Sequence, residues 1–443
     1  LAGQLDELML FTTTLDSQSV QQLFTFDPIE VLAQQETWSP QEKQRLLYHE
    51  LLHGDPVFQS LTQRLREYRI RQVRTDDIVV KPTMIMQDMD SLRPTYILDR
   101  GQYDAPGQQV QSGTPKAILA FKEEWPKNRK GLANWLFSPD HPLTARVAVN
   151  RYWQMIFGRG IVATPEDFGS QGALPTHPQL LDWLAIEFQE SGWNLKQLLK
   201  LMVMSSTYRQ SAAIPAGLQE KDPDNLLFAR GPQVRLTAEQ IRDHALAISG
   251  LLSDKRGGPS VKPYQPQGLW LQVASGNQSL RKYIQDHEED LYRRSLYTFW
   301  KRTIPPPSMT VFDAPSREQC SIKRRTTSTP MQALVLLNDP QFTEAARLMA
   351  QRMLEEGGEQ AENRIAYAFK WATSRSPVAK EVDILLRLLE EELSAFATDP
   401  DAANRLLSIG EIPIAKRQNV TELAAYTVLA SAILNLTESI HKS

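Results

Sequence analysis

Apolar residues recur every three or four positions over most of the chain, a spacing that is typical of amphipathic helices. The pattern predicts a mainly α protein, an irregular multi-helix domain with a few short strands that follows a helical hairpin. Four capping boxes mark helix starts: Ser39 with Glu42, Thr176 with Gln179, Thr237 with Gln240, and Thr329 with Gln332. The predicted helices span roughly 40–53, 56–74, 129–137, 142–157, 178–190, 194–205, 238–252, 330–337, 340–355, 362–373, 378–395 and 420–440.

Strand-like segments are few and short. Gln4–Phe11, Thr83–Met89 and Arg93–Arg100 are the candidates, and Arg293–Trp300 fits either a strand or a helix. We therefore expect little sheet.

The helix predicted over 142–157 has apolar residues on every side, a pattern that is typical of a buried helix. It nevertheless contains Arg146, Asn150 and Arg151. Either these side chains line a site or they pair with buried carboxylates, because an unpaired guanidinium in a core is very costly. We predict that both arginines are mostly buried and that Asp167 or Glu166 pairs with at least one of them.

Composition narrows the function classes. The chain has 443 residues, is 41% hydrophobic and 23% charged, and carries a formal net charge of −3. These values indicate a globular protein of one to three domains and argue against a nucleic-acid binder. Cys320 is the single cysteine, so no internal disulfide, zinc ribbon or haem-attachment pair can form. The apolar stretch Leu423–Leu436 is too short and too polar to span a bilayer, so no transmembrane segment is expected.

The motif "HELLH" places His49 and His53 on one helical face with Glu50 between them, the spacing of a zinc-peptidase helix. The histidines lie opposite Leu47 and Leu51, however, which would face the core. No third ligand follows at a recognisable spacing. We predict an exposed pair without tightly bound metal, and we keep a zinc hydrolase as one hypothesis.

The predicted helix that follows is rich in arginine. Leu61, Leu65, Tyr68 and Gln72 share one of its faces, and it forms a helical hairpin with the helix at 40–53. The basic side chains make either a solvated face or a contact surface for a polyanion. They are Arg64, Arg66, Arg69, Arg71 and Arg74.

The irregular segment Val311–Pro330 is dense in charge and leads into a capped helix. Guanidinium groups beside a helix N-terminus make a good anion site, although the same groups could form an internal ion-pair network. Its charged residues are Asp313, Arg317, Glu318, Lys323, Arg324 and Arg325.

A second loop, Thr164–Pro178, holds Glu166, Asp167 and His177, which could act in acid–base chemistry or pair with the arginines of the preceding helix. We predict that Arg317, Arg324 and Arg325 converge with His177 and Asp167 near one concave surface.

Long stretches of the chain resemble a known family. "NRKGLANWLFSPDHPLTARVAVNRYWQMIFGRGIVATPEDFGSQGALPTHPQLLDWLA", "LYRRSLYTFWKRTIPPPSM" and "FDAPSREQCSIKRRTTSTPMQALVLLNDPQF" are similar to the planctomycete-specific domain of unknown function that follows a cytochrome c module. Gly3–Phe24 resembles the last strand of a concanavalin-like (LamG) jelly roll. The resemblance implies three parts: a jelly-roll remnant at 1–26, a helical hairpin and β spacer at 27–127, and the planctomycete-type domain at 128–443. The start at Leu1 without a signal-like region indicates a fragment or a processed piece. The resemblance implies the C-terminal portion of a larger protein.

The resemblance implies a protein that is periplasmic or otherwise exported and is associated with acidic or sulfated polysaccharide. Haem c is expected only in the missing N-terminal part, through which a redox partner would act, and no cofactor is expected in this chain. Residues that fit the family's motifs are Arg146, Asn150, Arg151, Asp167, Phe168, Gly169, His177, Asp313, Arg317, Glu318, Arg324, Arg325, Asn338 and Asp339.

Candidate site residues follow from these segments. For catalysis they are His177, Asp167, Arg317 and Glu318. For substrate or anion binding they are Arg146, Asn150, Arg151, Lys323, Arg324 and Arg325. Three functions remain open: a module that binds or processes acidic polysaccharide, a non-catalytic scaffold, and a zinc hydrolase acting through His49, Glu50 and His53.

Overall fold

A computed structural model describes residues 29–79, 84–87, 89, 91, 93–273, 282–414 and 419–442. The chain divides between residues 110 and 111 into two compact units. The strand predicted at Gln4–Phe11 and the jelly-roll remnant at 1–26 lie outside the described residues.

The first unit contains the predicted helical hairpin. Its elements are α1 (Ile29–Ala33), α2 (Pro40–Gly54), α3 (Pro56–Val79), β1 (Thr95–Leu98) and β2 (Pro106–Val110). Helix α2 begins with the predicted capping box, in which Glu42 Oε2 accepts from the Ser39 amide at 2.7 Å. The two strands pair antiparallel, which confirms the strand predicted at 93–100. Residues 84–87 are not in a strand, so the prediction for that segment was wrong.

Among its described residues the second unit has one small sheet and otherwise consists of helices and loops, which confirms the mainly α prediction. Its strands β3 (Val234–Arg235) and β4 (His441–Lys442) pair antiparallel, and the segment predicted as a possible strand near 293–300 holds a 3₁₀ turn at Ser295–Tyr297. Its helices are α4 (Arg129–Leu136), α5 (Thr144–Phe157), α6 (Pro178–Glu190), α7 (Leu195–Met204), α8 (Leu218–Lys221), α9 (Ala238–Ser249), α10 (Leu269–Val273), α11 (Pro307–Val311), α12 (Pro330–Asn338), α13 (Pro340–Glu356), α14 (Ala361–Thr373), α15 (Ala379–Thr398), α16 (Pro400–Leu407), α17 (Val420–Leu434) and α18 (Thr437–Ile440).

The largest core surrounds α17. This helix packs against α13, α15 and α16, and most of its side chains are buried, among them Leu423, Leu429 and Ile433. It is apolar all round, as a helix inside a core should be. In the part of the chain that the structure describes, no helix combines the length and the apolarity of a membrane span.

A second core lies between α5 and α6. Trp153 and Phe157 of α5 stack with ring centroids 4.1 Å apart, and Phe228 packs edge-on against Trp153 at 5.2 Å. Leu184 and Phe188 of α6 complete the cluster. The aromatic side chains hold the end of α5 against the loop that carries Phe228.

Several predictions about the segment 142–178 were wrong. Arg151 is exposed, and Arg146 is partly exposed and pairs with Asp182 of α6, Nε to Oδ1 2.6 Å, rather than with Asp167 or Glu166. Helix α5 is not buried on every side, because Met155 also faces solvent. Thr176 does not cap α6 either, since its hydroxyl donates to the Ile161 carbonyl and His177 is the N-cap residue.

Candidate anion-binding cleft

A polar cleft of about 360 Å³ opens in the second unit where three distant segments meet. The segments are the C-terminal end of α5, the loop at 223–235, and residues 323–326 of the irregular segment Val311–Pro330, called here the basic loop. The lining residues are Gln154, Phe157, Gly158, Pro223, Asp224, Asn225, Arg230, Gly231, Pro232, Gln233, Val234, Arg235, Lys323, Arg324 and Thr326.

The loop at 222–235 is held in shape by hydrogen bonds made by its own polar side chains. The carboxylate of Asp222 accepts from the amides of Leu226 and Leu227 at 2.7 and 2.9 Å. Burial opposes ionisation there, but these amides and the nearby arginines hold the pKa of Asp222 below its ordinary value. Arg230 closes the loop by donating to the carbonyls of Asp222 and Pro223 at 3.0 and 2.7 Å. These hydrogen bonds within the loop define its conformation.

Arg235 joins this loop to the basic loop. Its Nη2 donates to Asp313 Oδ2 at 2.6 Å, and the same carboxylate accepts from the Thr327 amide at 2.9 Å. Burial raises the pKa of Asp313, but the bonds from Thr327 and Arg235 outweigh it and leave the pKa low. The Arg235 side chain is only 6% exposed. Its buried Nε has no hydrogen-bond partner among the described residues.

The C-terminal strand braces the opposite wall. Strand β4 pairs with β3, and Lys442 Nζ donates to the carbonyl of Ile156 at 3.2 Å, near the end of α5. A cation there also suits the negative end of the helix dipole. Gly158 ends α5 with φ 77°, and an added Cβ would collide with Val234. A larger residue at 158 would therefore push α5 away from β3.

The basic loop supplies the upper edge. Arg324 Nη1 contacts Glu239 Oε2 of α9 at 2.6 Å, and both side chains remain partly exposed. Lys323 is exposed and has no ion pair among the residues that the structure describes. The lining therefore holds four cationic side chains and one carboxylate, that of Asp224. Asp224 lies 3.7 Å from Arg159, which offsets its charge.

The acid–base candidates have separate neighbours and do not line this cleft. His177 Nδ1 lies 3.0 Å from the Thr176 hydroxyl, and its ring faces Phe228 at 5.5 Å. Asp167 Oδ1 accepts from the Gly169 amide at 2.7 Å and so closes a tight turn. The contacts of both side chains therefore stabilise the local loop structure.

The outer part of the basic loop lies apart from the cleft lining. The Arg317 guanidinium stacks 4.5 Å from the Trp300 ring centroid, while Glu318 and Arg325 are exposed. Of the predicted convergence, Arg324 reaches the cleft, and Arg317 and Arg325 are not among its lining residues.

Asn150 is buried for a structural reason. Its amide group donates to the Val162 carbonyl at 3.0 Å and accepts from the Val162 amide at 2.8 Å. The side chain thus satisfies both backbone groups of one residue, as a paired strand would. Asn150 therefore fixes the position of the chain segment that follows α5.

His49 and His53 are exposed, as predicted, with ring centroids 4.4 Å apart. Within the described ranges no group of three or more histidine, cysteine or acidic side chains is placed to hold a metal ion. The geometry of this pair therefore gives no support to a zinc hydrolase.

The sequence patterns missed the residues of the 222–235 loop. Arg230 and Arg235 were not among the candidates, although "DPDNLLFARGPQVR" combines turn-forming residues with two arginines. That combination, on a loop rather than a helix, was the available signal.

A known family model matches the part of the chain that contains the cleft. Residues 128–389 match the family model PSD1, described as "Protein of unknown function (DUF1553)". The match spans more than half of the chain. The chain belongs to the PSD1 family. No curated protein and no solved structure matches it.

All the lining residues of the cleft, from Gln154 to Thr326, fall inside the PSD1 match. Helix α17 and strand β4, which support the core and the cleft wall, fall outside it. The cleft thus belongs to the PSD1 domain, while part of its support comes from the chain that follows.

Proposed function

We propose that this PSD1 domain binds acidic, and specifically sulfated, polysaccharide in the cleft. The observation that carries the proposal is the charge at the cleft edge, where Lys323 is exposed without an ion pair among the described residues and Arg324 stays 41% exposed beside Glu239. Arg230 and Arg235, which are held by loop carbonyls and by Asp313, add positive charge behind them. Guanidinium groups match the oxygens of a sulfate or a carboxylate in a fork geometry, and Lys323 adds a movable point charge. The chain as a whole carries a net charge of −3, so an anion would be attracted by this local excess of cations and not by the overall charge.

Uncharged polar groups favour a sugar over a small inorganic anion. Gln154 and Gln233 offer amide donors and acceptors beside the cations, and sugar hydroxyls can use both. The cleft is open to solvent, as binding within a long polymer requires. Binding rather than catalysis is proposed, because His177 and Asp167 do not line the cleft.

The proposed setting follows from the resemblance of the sequence. There the domain would act within an exported, periplasmic protein whose N-terminal part carries haem c and reaches a redox partner. The cleft would hold the polymer, and any redox chemistry would belong to that other part.

A binding titration tests the proposal. Heparin serves as the sulfated polymer, dextran as the neutral one and polyglutamate as an acidic polymer without sugar. We expect heparin to bind, with an affinity that falls as salt rises, because exposed ionic contacts are screened over about 8–10 Å at physiological ionic strength. The double variant Lys323→Ala/Arg324→Ala should weaken heparin binding about tenfold or more.

The matched control is Arg325→Ala, which removes the neighbouring cation outside the lining. It should leave the affinity nearly unchanged. The double variant should also keep its thermal midpoint, since an exposed pair such as Arg324–Glu239 contributes only about 0–1 kcal/mol to stability. Equal losses from both variants, or equal binding of heparin and polyglutamate, would refute a specific polysaccharide site.

A further inference from the structure

Helix α3 carries an apolar seam that the described part of its own unit leaves open. Leu61, Leu65 and Tyr68 are 54, 52 and 58% exposed. With Phe58 and Gln72 they follow one another at alternating intervals of three and four residues. That spacing is the a and d pattern of a coiled coil, in which the seam is covered by a second helix.

Basic side chains border this seam on both sides. At 100° per residue, Arg64 and Arg69 lie about 70° to either side of the line through Leu61, Leu65 and Tyr68. They occupy the g and e positions, and Arg71 occupies the next g position. All three are exposed. In coiled coils these positions form the ion pairs that select the partner.

The same charges disfavour pairing with a second copy of the chain. A parallel copy would place Arg64 opposite Arg69, because g faces the following e of the partner. An antiparallel copy would place Arg64 opposite Arg71. Either arrangement brings like charges together at the border of the seam, which is destabilising.

We propose that α3 is a docking helix for an acidic amphipathic helix of another protein. The partner would place apolar residues against Leu61, Leu65 and Tyr68, and glutamate or aspartate against Arg64, Arg69 and Arg71. A polyanion would need the arginines but not the seam. A membrane surface would need a wider apolar face than this seam of single residues.

The test uses the full chain and a designed helical peptide with leucine at a and d and glutamate at e and g. Fluorescence anisotropy of the labelled peptide reports binding. We expect Leu65→Ser to weaken it at least about tenfold. The control is Ile70→Ser, which removes an exposed apolar side chain from the far side of the same helix and should leave binding unchanged.

Charge reversal provides the second readout. The variant Arg64→Glu/Arg69→Glu should lose the glutamate peptide and gain a version with lysine at e and g. The proposal is overturned if the parent chain does not bind the glutamate peptide at about 100 μM. It is also overturned if Leu65→Ser and Ile70→Ser behave alike. Tighter binding to heparin or anionic vesicles that is insensitive to Leu65→Ser would assign α3 to a polyanion or a membrane instead, and a dimer lost on Leu65→Ser would assign it to self-association.

Discussion

The carboxylate of Glu344 shows how single residues hold this fold together. It is fully buried and accepts from the hydroxyls of Tyr264 and Tyr292 and from the amides of Glu411 and Ile412, at 2.7–3.0 Å. Burial and the adjacent carboxylate raise the pKa of both tyrosines, so both remain hydroxyl donors. Arg347 lies 3.5 Å from the same carboxylate. A buried carboxylate is tolerable here because both of its oxygens accept hydrogen bonds.

Gly410 makes this arrangement possible, and its replacement is the first prediction. Its φ is +99°, and an added Cβ would lie 2.5 Å from Glu344 Oε1. We expect Gly410→Ala to lower the free energy of unfolding by about 2–4 kcal/mol, since backbone strain and displacement of the carboxylate add.

The control for Gly410→Ala is Gly217→Ala. Gly217 also has a positive φ, +76°, but nothing lies within 4 Å of the added Cβ. Urea unfolding of both variants separates the two costs. Equal destabilisation would show that the Glu344 cluster contributes nothing to the effect.

At the scale of elements, helix packing around α17 depends on small side chains. Ala424 and Ala425 are fully buried where this helix meets its neighbours. Helices approach closely when the residues at their contact are small, and a well-packed core cannot absorb added volume without strain.

The second prediction concerns this contact. We expect Ala425→Leu to destabilise the chain by about 1–3 kcal/mol, because the added carbons have no space to occupy. Ala432→Leu, on the same helix but partly exposed, should change stability far less. Thermal unfolding of the two variants compares them directly, and a neutral Ala425→Leu would mean that α17 packs loosely.

The whole molecule should lose stability in acid, which is the third prediction. Hydrogen bonds from Arg375 lower the pKa of Glu381 from 4.5 to about 2, and those from Arg352 and Tyr367 do the same for Glu356. A carboxylate whose pKa is lower in the folded state stabilises the fold above its unfolded pKa. That contribution is lost as the pH falls from about 4.5 towards 2.

Urea midpoints between pH 7 and pH 2.5 measure this loss. Burial raises the pKa of Asp339, which gives a contribution of opposite sign from one group. We expect Glu381→Gln to flatten the acid decline, and Glu391→Gln, an exposed position on the same helix, to leave it unchanged. A midpoint that is constant down to pH 2.5 would contradict the assignment.

The fourth prediction is that the folding unit extends beyond the residues that match the PSD1 model. The match ends at residue 389, inside α15, yet Leu407, Leu423 and Leu429 beyond it are buried in the largest core. Losing one buried leucine typically costs about 2–5 kcal/mol, against a total stability of about 5–15 kcal/mol.

We therefore expect the shortened chain 111–443 to unfold cooperatively and the chain 111–389 to lack a cooperative transition. Calorimetry of the two shortened chains tests this. A cooperative transition for 111–389 would show that the core can close without α17.

The sequence alone determined most of the helices, because their signals lie within a few residues. Ser39 and Glu42 are three positions apart, as are Thr237 and Gln240, and both capping boxes are present. The helix at Pro400–Leu407 had such a signal too, since Asp399 caps it and Pro400 opens it, but the predicted elements omitted it. The basic loop was likewise visible as a charged, irregular segment.

Only the tertiary structure decided which charges are buried and which loops share a cleft. Arg235 and Asp313 are 78 residues apart, and Glu239 and Arg324 are 85 apart, so no local pattern pairs them. The same holds for Arg146, whose partner was placed on the wrong element because the pattern cannot show which helix packs beside it. Helical hydrogen bonds and caps form between near neighbours in the chain, whereas ion pairs form between groups that meet only after the helices have packed.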